Sequence, residues 1–71
     1  MHPKLPSLTA IRAFETTARH LSVSQAAAEL NVTHAAVSQQ IRALEDWLGV
    51  KLIKRVGRSI ALTESGAMNA A

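Results

Sequence analysis

Between Ser22 and Gly49 the chain carries two helical patterns separated by only three residues, a constraint that few folds satisfy. The first pattern is short, about 24 to 30. Ser22 or Ser24 can accept a hydrogen bond from the free amides at its start, and Ser22 with Gln25 has capping-box spacing. Ala26, Ala27 and Ala28 let another helix approach closely, and Leu30 closes the apolar side. Asn31 tolerates the left-handed conformation that ends a helix, and Thr33 can cap the next one. That next helix is expected over about 34 to 48. At ~100° per residue from His34, Val37, Ile41, Leu44 and Leu48 fall in a sector of roughly 280° to 340°, the face expected to be buried. Ser38, Arg42, Ala35, Asp46 and Gln39 occupy roughly 40° to 140°, nearly opposite. The outer face is therefore small and hydrogen-bonding toward its N-terminal half, with an arginine one turn further on.

The flanking segments complete the architecture. Ser7 is a start signal, and Leu8, Ile11, Phe14, Ala18 and Leu21 recur at three- and four-residue spacing, so a helix is expected over about 8 to 20. Arg19 and His20 sit in its last turn, where positive charge meets unpaired carbonyls. After Gly49 the period changes: Leu52, Ile53, Val56, Ile60 and Leu62 are strand-type residues around Val56-Gly57-Arg58-Ser59, which reads as a β-hairpin with an arginine at its tip. Thr63 can cap a further helix, with Glu64 in its first turn. The expected fold is mainly α, a winged helix-turn-helix with a three-helix core.

With 71 residues, one domain is expected. The chain is 48% hydrophobic and 18% charged, a composition that folds. It has no cysteine, which excludes disulfide stapling, thiolate catalysis and sulfur-ligated zinc. No apolar run suggests a signal sequence or a membrane span. Eight Lys or Arg against five Asp or Glu give a net charge of +3, and Lys51, Lys54, Arg55 and Arg58 concentrate it in a stretch without an acid. A polyanion is the natural partner for such a run.

A short helix, a tight turn and a second helix with a polar outer face suit the major groove of duplex DNA, which is about 12 Å wide and admits one helix. Gln39 can pair bidentately with adenine, His34 can donate or accept, and the Ala35 methyl can pack on a thymine methyl. Thr33 and Ser38 suit phosphate oxygens, as do free amides at helix starts; Ser24 and Arg42 join the candidate set. The hairpin supplies Lys54 and Arg55 for the backbone and Arg58 for a narrow minor groove, where the negative potential is enhanced.

The run Ala26-Ala27-x-x-Leu30, then Val32-Thr33-x-Ala35-Ala36-Val37-Ser38-x-Gln40-Ile41-x-x-Leu44-Glu45-x-x-Leu48-Gly49-x-x-Leu52, then Arg55, Arg58, Thr63 and Gly66, resembles the DNA-binding domain of LysR-type transcriptional regulators. The similarity covers about residues 5 to 71. Leu5-Pro6-x-Leu8, Ala18-Arg19-His20-Leu21-Ser22 and Glu29-Leu30-Asn31-Val32-Thr33-His34 further resemble the branch of glycine-cleavage activators and β-lactamase regulators. The resemblance implies a bacterial regulator in the cytoplasm, associated with the nucleoid, that binds an interrupted inverted repeat in double-stranded DNA as a homodimer. The full-length family members extend to tetramers and sense a small-molecule effector through a further domain. It implies a DNA-binding domain over 5–63, with the helix-turn-helix about 23–42 and the wing about 51–63, and the start of a linker helix over 64–71, as in an excised module. It carries recognition-helix contacts onto His34, Ala35, Ser38 and Gln39 and the wing contact onto Arg58. Ile53 stands where many members have Phe, and Glu64-Ser65 where Pro-Glu is frequent; both concern packing or helix entry.

Other chemistries fit less well. Histidines at 2, 20 and 34 lack paired acids at ligand spacing, so no metal or cofactor is expected. Ser38, His34 and Asp46 lie along one helix without converging, and no oxyanion-hole element accompanies them, so no enzyme is expected. Phe14 and Trp47 are too few for a stacking platform on single strands, and Trp47 is expected to cover the hairpin or the last helix. Gln40 and Ala43 fall outside the groove sector. The rival reading is a helical module that binds a protein partner without sequence-specific DNA binding.

Overall fold

The computed structural model describes residues 7–70; His2, the Leu5-Pro6 start of the expected domain and Ala71 lie outside them. The element order is α1 Leu8–His20, α2 Val23–Leu30, α3 His34–Leu48, β1 Ile53–Val56, β2 Ser59–Leu62 and α4 Glu64–Ala70. Each of the first three helices begins at a hydroxyl cap. Ser7 Oγ accepts from Ala10 N–H at 3.1 Å, Ser22 Oγ from Gln25 N–H at 3.1 Å and Thr33 Oγ1 from Ala36 N–H at 3.0 Å, satisfying amides that have no partner within the helix. Each also ends in a left-handed residue: Leu21, Asn31 and Gly49, with φ of 53°, 59° and 76°. Asn31 and Gly49 tolerate that conformation readily, whereas Leu21 adopts it at a steric cost.

The core gathers around Phe14. Ala10 and Ala13 of α1, Ala26 and Ala27 of α2, Val37, Ile41 and Leu44 of α3, and Leu52 beyond them are buried with it. The three-helix core and the buried face of α3 agree with the sequence pattern, except that Leu48 is only partly buried at the rim. The apolar series of α1 does not form one buried seam: Leu8 is 73% exposed, and Ile11 and Leu21 are also exposed. The face turned inward is Ala10, Ala13, Phe14 and Thr17. Apart from Phe14 its side chains are small, because α1 packs against both other helices and short side chains bring helix axes close.

The hairpin pairs β1 with β2 in antiparallel register, Ile53 opposite Leu62 and Val56 opposite Ser59. Gly57 opens its two-residue loop with a φ of 62°, the position at which such hairpins favour glycine. Two strands alone make a weak sheet, so the wing needs outside support. Leu52 provides it. Its side chain is fully buried, its N–H donates to Glu45 Oε2 at 2.8 Å and its carbonyl accepts from Thr63 N–H at 3.0 Å. Thr63 Oγ1 donates to the Lys51 carbonyl at 2.5 Å and accepts from Gly66 N–H at 3.0 Å, which caps α4 as its sequence predicts. No helix among the described residues is long and apolar enough to cross a membrane.

Candidate nucleic-acid interface

The start of α2, the outer flank of α3 and the inner face of the wing enclose a concave surface of about 490 Å3. Ser24 from α2, His34, Ser38 and Arg42 from α3, and Lys54, Arg55 and Arg58 from the wing all line it. Seven of the ten candidate residues therefore converge on one surface, although they span more than thirty positions of chain. Thr33, Ala35 and Gln39 are exposed at the N-terminal half of α3 but do not line this hollow. They lie on the outward flank beside it. The Thr33 oxygen is occupied as a cap, leaving its hydroxyl hydrogen as the donor available to a phosphate.

The charge on this surface is one-sided. Lys51, missed as a site residue although it belongs to the basic run, joins Arg42 and the three wing cations along its wall. Glu45 is the one acid among the described residues lining it. Its Oε2 accepts from the N–H groups of Leu52, at 2.8 Å, and Ile53, at 3.4 Å, and its Oε1 lies 3.9 Å from Lys51 Nζ. The buried carboxylate thus ties α3 to the first residues of the wing. A hollow with cations and hydrogen-bond donors along its wall, and its acid turned inward, suits an anionic surface. Among the described residues no three His, Asp or Glu come together at metal-binding distance. Ser38 and His34 share the hollow, and Asp46 is not part of it.

Trp47 is 41% exposed and stands outside the packed core cluster. The α3 side chain bonded to the start of the wing is Glu45. Arg19 and His20 do more than meet the helix carbonyls. Arg19 Nη2 donates to Glu29 Oε2 at 2.6 Å and Nη1 to Oε1 at 3.0 Å, while His20 Nε2 lies 2.7 Å from Oε1. The Arg19 bonds, followed by the His20 bond, hold the Glu29 carboxyl down at about 2, and Glu29 in turn raises Arg19. This clamp joins α1 to α2 away from the concave face. Gln40 is half-buried beside Thr9 and Arg12 of α1, and Ala43 faces solvent, both off the hollow.

Helices α2 and α3, the three-residue turn between them and the hairpin that follows define a winged helix-turn-helix protein. Residues 8–67 match the family described as "Bacterial regulatory helix-turn-helix protein, lysR family", and the chain belongs to it. The glycine cleavage system transcriptional activator of Escherichia coli K12 is 58% identical over 66 residues, 93% of this chain and 22% of the activator. The transcriptional activator AmpR of Providencia stuartii is 59% identical over 63 residues, covering 89% of this chain and 21% of AmpR. These relatives lie in the branch that the sequence resembles, and this chain spans about a fifth of their length. Among solved structures, oxidized OxyR of Corynebacterium glutamicum superposes with a TM-score of 0.90 at 33% identity, covering 97% of this chain and 22% of that one. The BenM DNA-binding domain in complex with catB site 1 DNA gives 0.84 at 30% identity, covering 90% and 71%.

Proposed function

We propose that this chain binds double-stranded DNA sequence-specifically as the DNA-binding part of a LysR-type transcriptional regulator. One observation carries the reading: the polar flank of α3 and the basic wing open onto the same concave surface, whose one acid is already engaged. The BenM domain, of the same fold, is seen on DNA. In this reading α3 enters the major groove, with His34, Ala35 and Gln39 at base edges and Thr33, Ser38 and Arg42 toward phosphates. Ser24 meets the backbone at the start of α2. Lys54 and Arg55 follow the backbone, and Arg58 reaches the minor groove. The DNA-binding domain spans 5–63, and 64–71 opens a linker helix through which two copies pair on an interrupted inverted repeat. Tetramer formation and effector sensing belong to the full-length regulator. The role is regulatory and not enzymatic, and its place is the bacterial cytoplasm, at the nucleoid.

Selection of duplexes from a random pool tests the specificity and reports half-site symmetry and spacing. Titration of the enriched duplex at several salt concentrations tests the electrostatics. Neutralising several phosphates gives a steep fall of affinity with salt. A shallow dependence with no enriched sequence would instead indicate a protein-binding module.

A further inference from the structure

We propose that Glu45 is a positioning residue for DNA binding, setting the wing at a fixed distance and angle from the recognition helix. The inference rests on the DNA-binding reading above and concerns how its two contact elements are held together. The hairpin has only two strands and leaves β1 with an unpaired edge. At the base of that strand, the N–H groups of Leu52 and Ile53 both donate to one carboxylate oxygen that projects from α3. Glu45 is 8% exposed. It sits seven residues after Ser38, on the same helix that presents the candidate base contacts. Hydrogen bonds to a charged acceptor are among the stronger ones, and a buried pair of amides left without it would each seek another partner. The wing would then retain its hairpin pairing and lose its fixed bearing on α3.

Electrostatics makes the proposal easy to separate from its rival. Removing a negative charge from a surface that binds a polyanion should tighten binding if charge alone matters. Loss of positioning should weaken it.

The test uses four proteins: wild type, Glu45→Met, a wing-discharged Lys54→Gln/Arg55→Gln/Arg58→Gln variant, and the combination. Each is titrated with a random-sequence duplex and with the enriched duplex across salt. Glu45→Met is expected to weaken binding about tenfold in the wild-type wing and to flatten the salt dependence, since wing phosphates are no longer reached together. In the discharged wing the same substitution should cost under about twofold, because the two changes act through one set of contacts. Hydroxyl-radical footprints should lose the wing's protected sugars and keep those beside α3. Equal losses in both backgrounds, or tighter binding by Glu45→Met, would overturn the proposal while leaving the DNA-binding reading standing. A discharged wing that binds like wild type would overturn the proposal by removing the wing contacts, whereas failure of the wild type itself to bind any duplex would overturn the DNA-binding reading. Where Glu45→Met lowers folding too far to titrate, Glu45→Asp, which keeps the charge but is one methylene too short to reach the Leu52 and Ile53 amides from α3, is followed by spin labels at Ala43→Cys and Val56→Cys in this otherwise cysteine-free chain. The interlabel distances should broaden relative to Glu45, and an unchanged distribution would overturn the proposal.

Discussion

Thr17 is fully buried in α1, and its hydroxyl has no hydrogen-bond partner among the described residues. An unpartnered buried hydroxyl costs free energy that a methyl of the same size does not. Thr17→Val is therefore expected to stabilise the domain by about 1 kcal/mol, seen as a higher urea midpoint at unchanged slope. Gln39 raises the opposite kind of question, since its exposure leaves both the oxygen and the NH2 of its amide turned to solvent, where a base could meet them. Gln39→Ala should cost about 1–3 kcal/mol more on the enriched duplex than on random DNA if it pairs bidentately with adenine. Equal losses, read by competition titration, would assign it to the backbone. At this scale the sequence was legible wherever a residue's role followed from helical periodicity. Glu45 stands at roughly 20° on the wheel, just beyond the apolar sector, and an acid at the margin of a buried face is the signal from which its role could have been sought. What periodicity could not supply was the partner, because the amides it binds belong to a segment whose path is set by tertiary packing.

Helix α1 shows where pattern and packing part. Leucine and isoleucine at regular spacing suggested the inner face, yet Leu8 and Ile11 are exposed and alanines are buried, because the crossing of three helices selects for size as well as polarity. The helix limits themselves were readable from Ser7, Ser22 and Thr33, whose caps are all made. The clamp of Arg19 and His20 on Glu29 joins α1 to α2 across nine and ten residues. No single-helix rule anticipates that pairing. Glu29 titrates at about 2 in the folded protein against an ordinary 4.5. Its contribution to stability is therefore present above pH 4.5 and lost as pH falls toward 2. In Glu29→Gln this contribution is absent at every pH. The gap between the thermal midpoints of wild type and variant should close on acidification through that window, and a gap of constant size would show that the clamp is not proton-linked. Exposure and salt screening keep the effect small.

Across the whole molecule, three elements meet at Leu52. Its amide is bonded to α3, its carbonyl receives the Thr63 amide, and Gly66 lies against that carbonyl so closely that an added methyl would collide with it. Gly66→Ala cannot be absorbed by a side-chain rotation, because the obstacle is backbone. It is expected to destabilise the domain by about 1–3 kcal/mol and to tilt α4 away from the body, detectable as a lower denaturation midpoint and faster amide exchange at Thr63. Strand limits, the Gly57 turn and the Arg58 tip were legible from residue type, but the junction that seats the wing and α4 together was not. It depends on contacts between backbone groups, which leave little mark on composition.

Five like-charged side chains crowd the wall of the concave face against a single carboxylate among its lining residues, Glu45, which lies 3.9 Å from Lys51 and grips the wing amides. The unoccupied protein therefore pushes against itself there, and dissolved electrolyte relieves part of that self-repulsion by screening over about 8 Å at physiological strength. The same electrolyte competes for a duplex. Raising its concentration should ease the strain on the free molecule at this surface while it loosens the complex. Comparing melting of wild type with the wing-discharged variant, each free of DNA, isolates the first effect: the variant's midpoint should respond less to added salt.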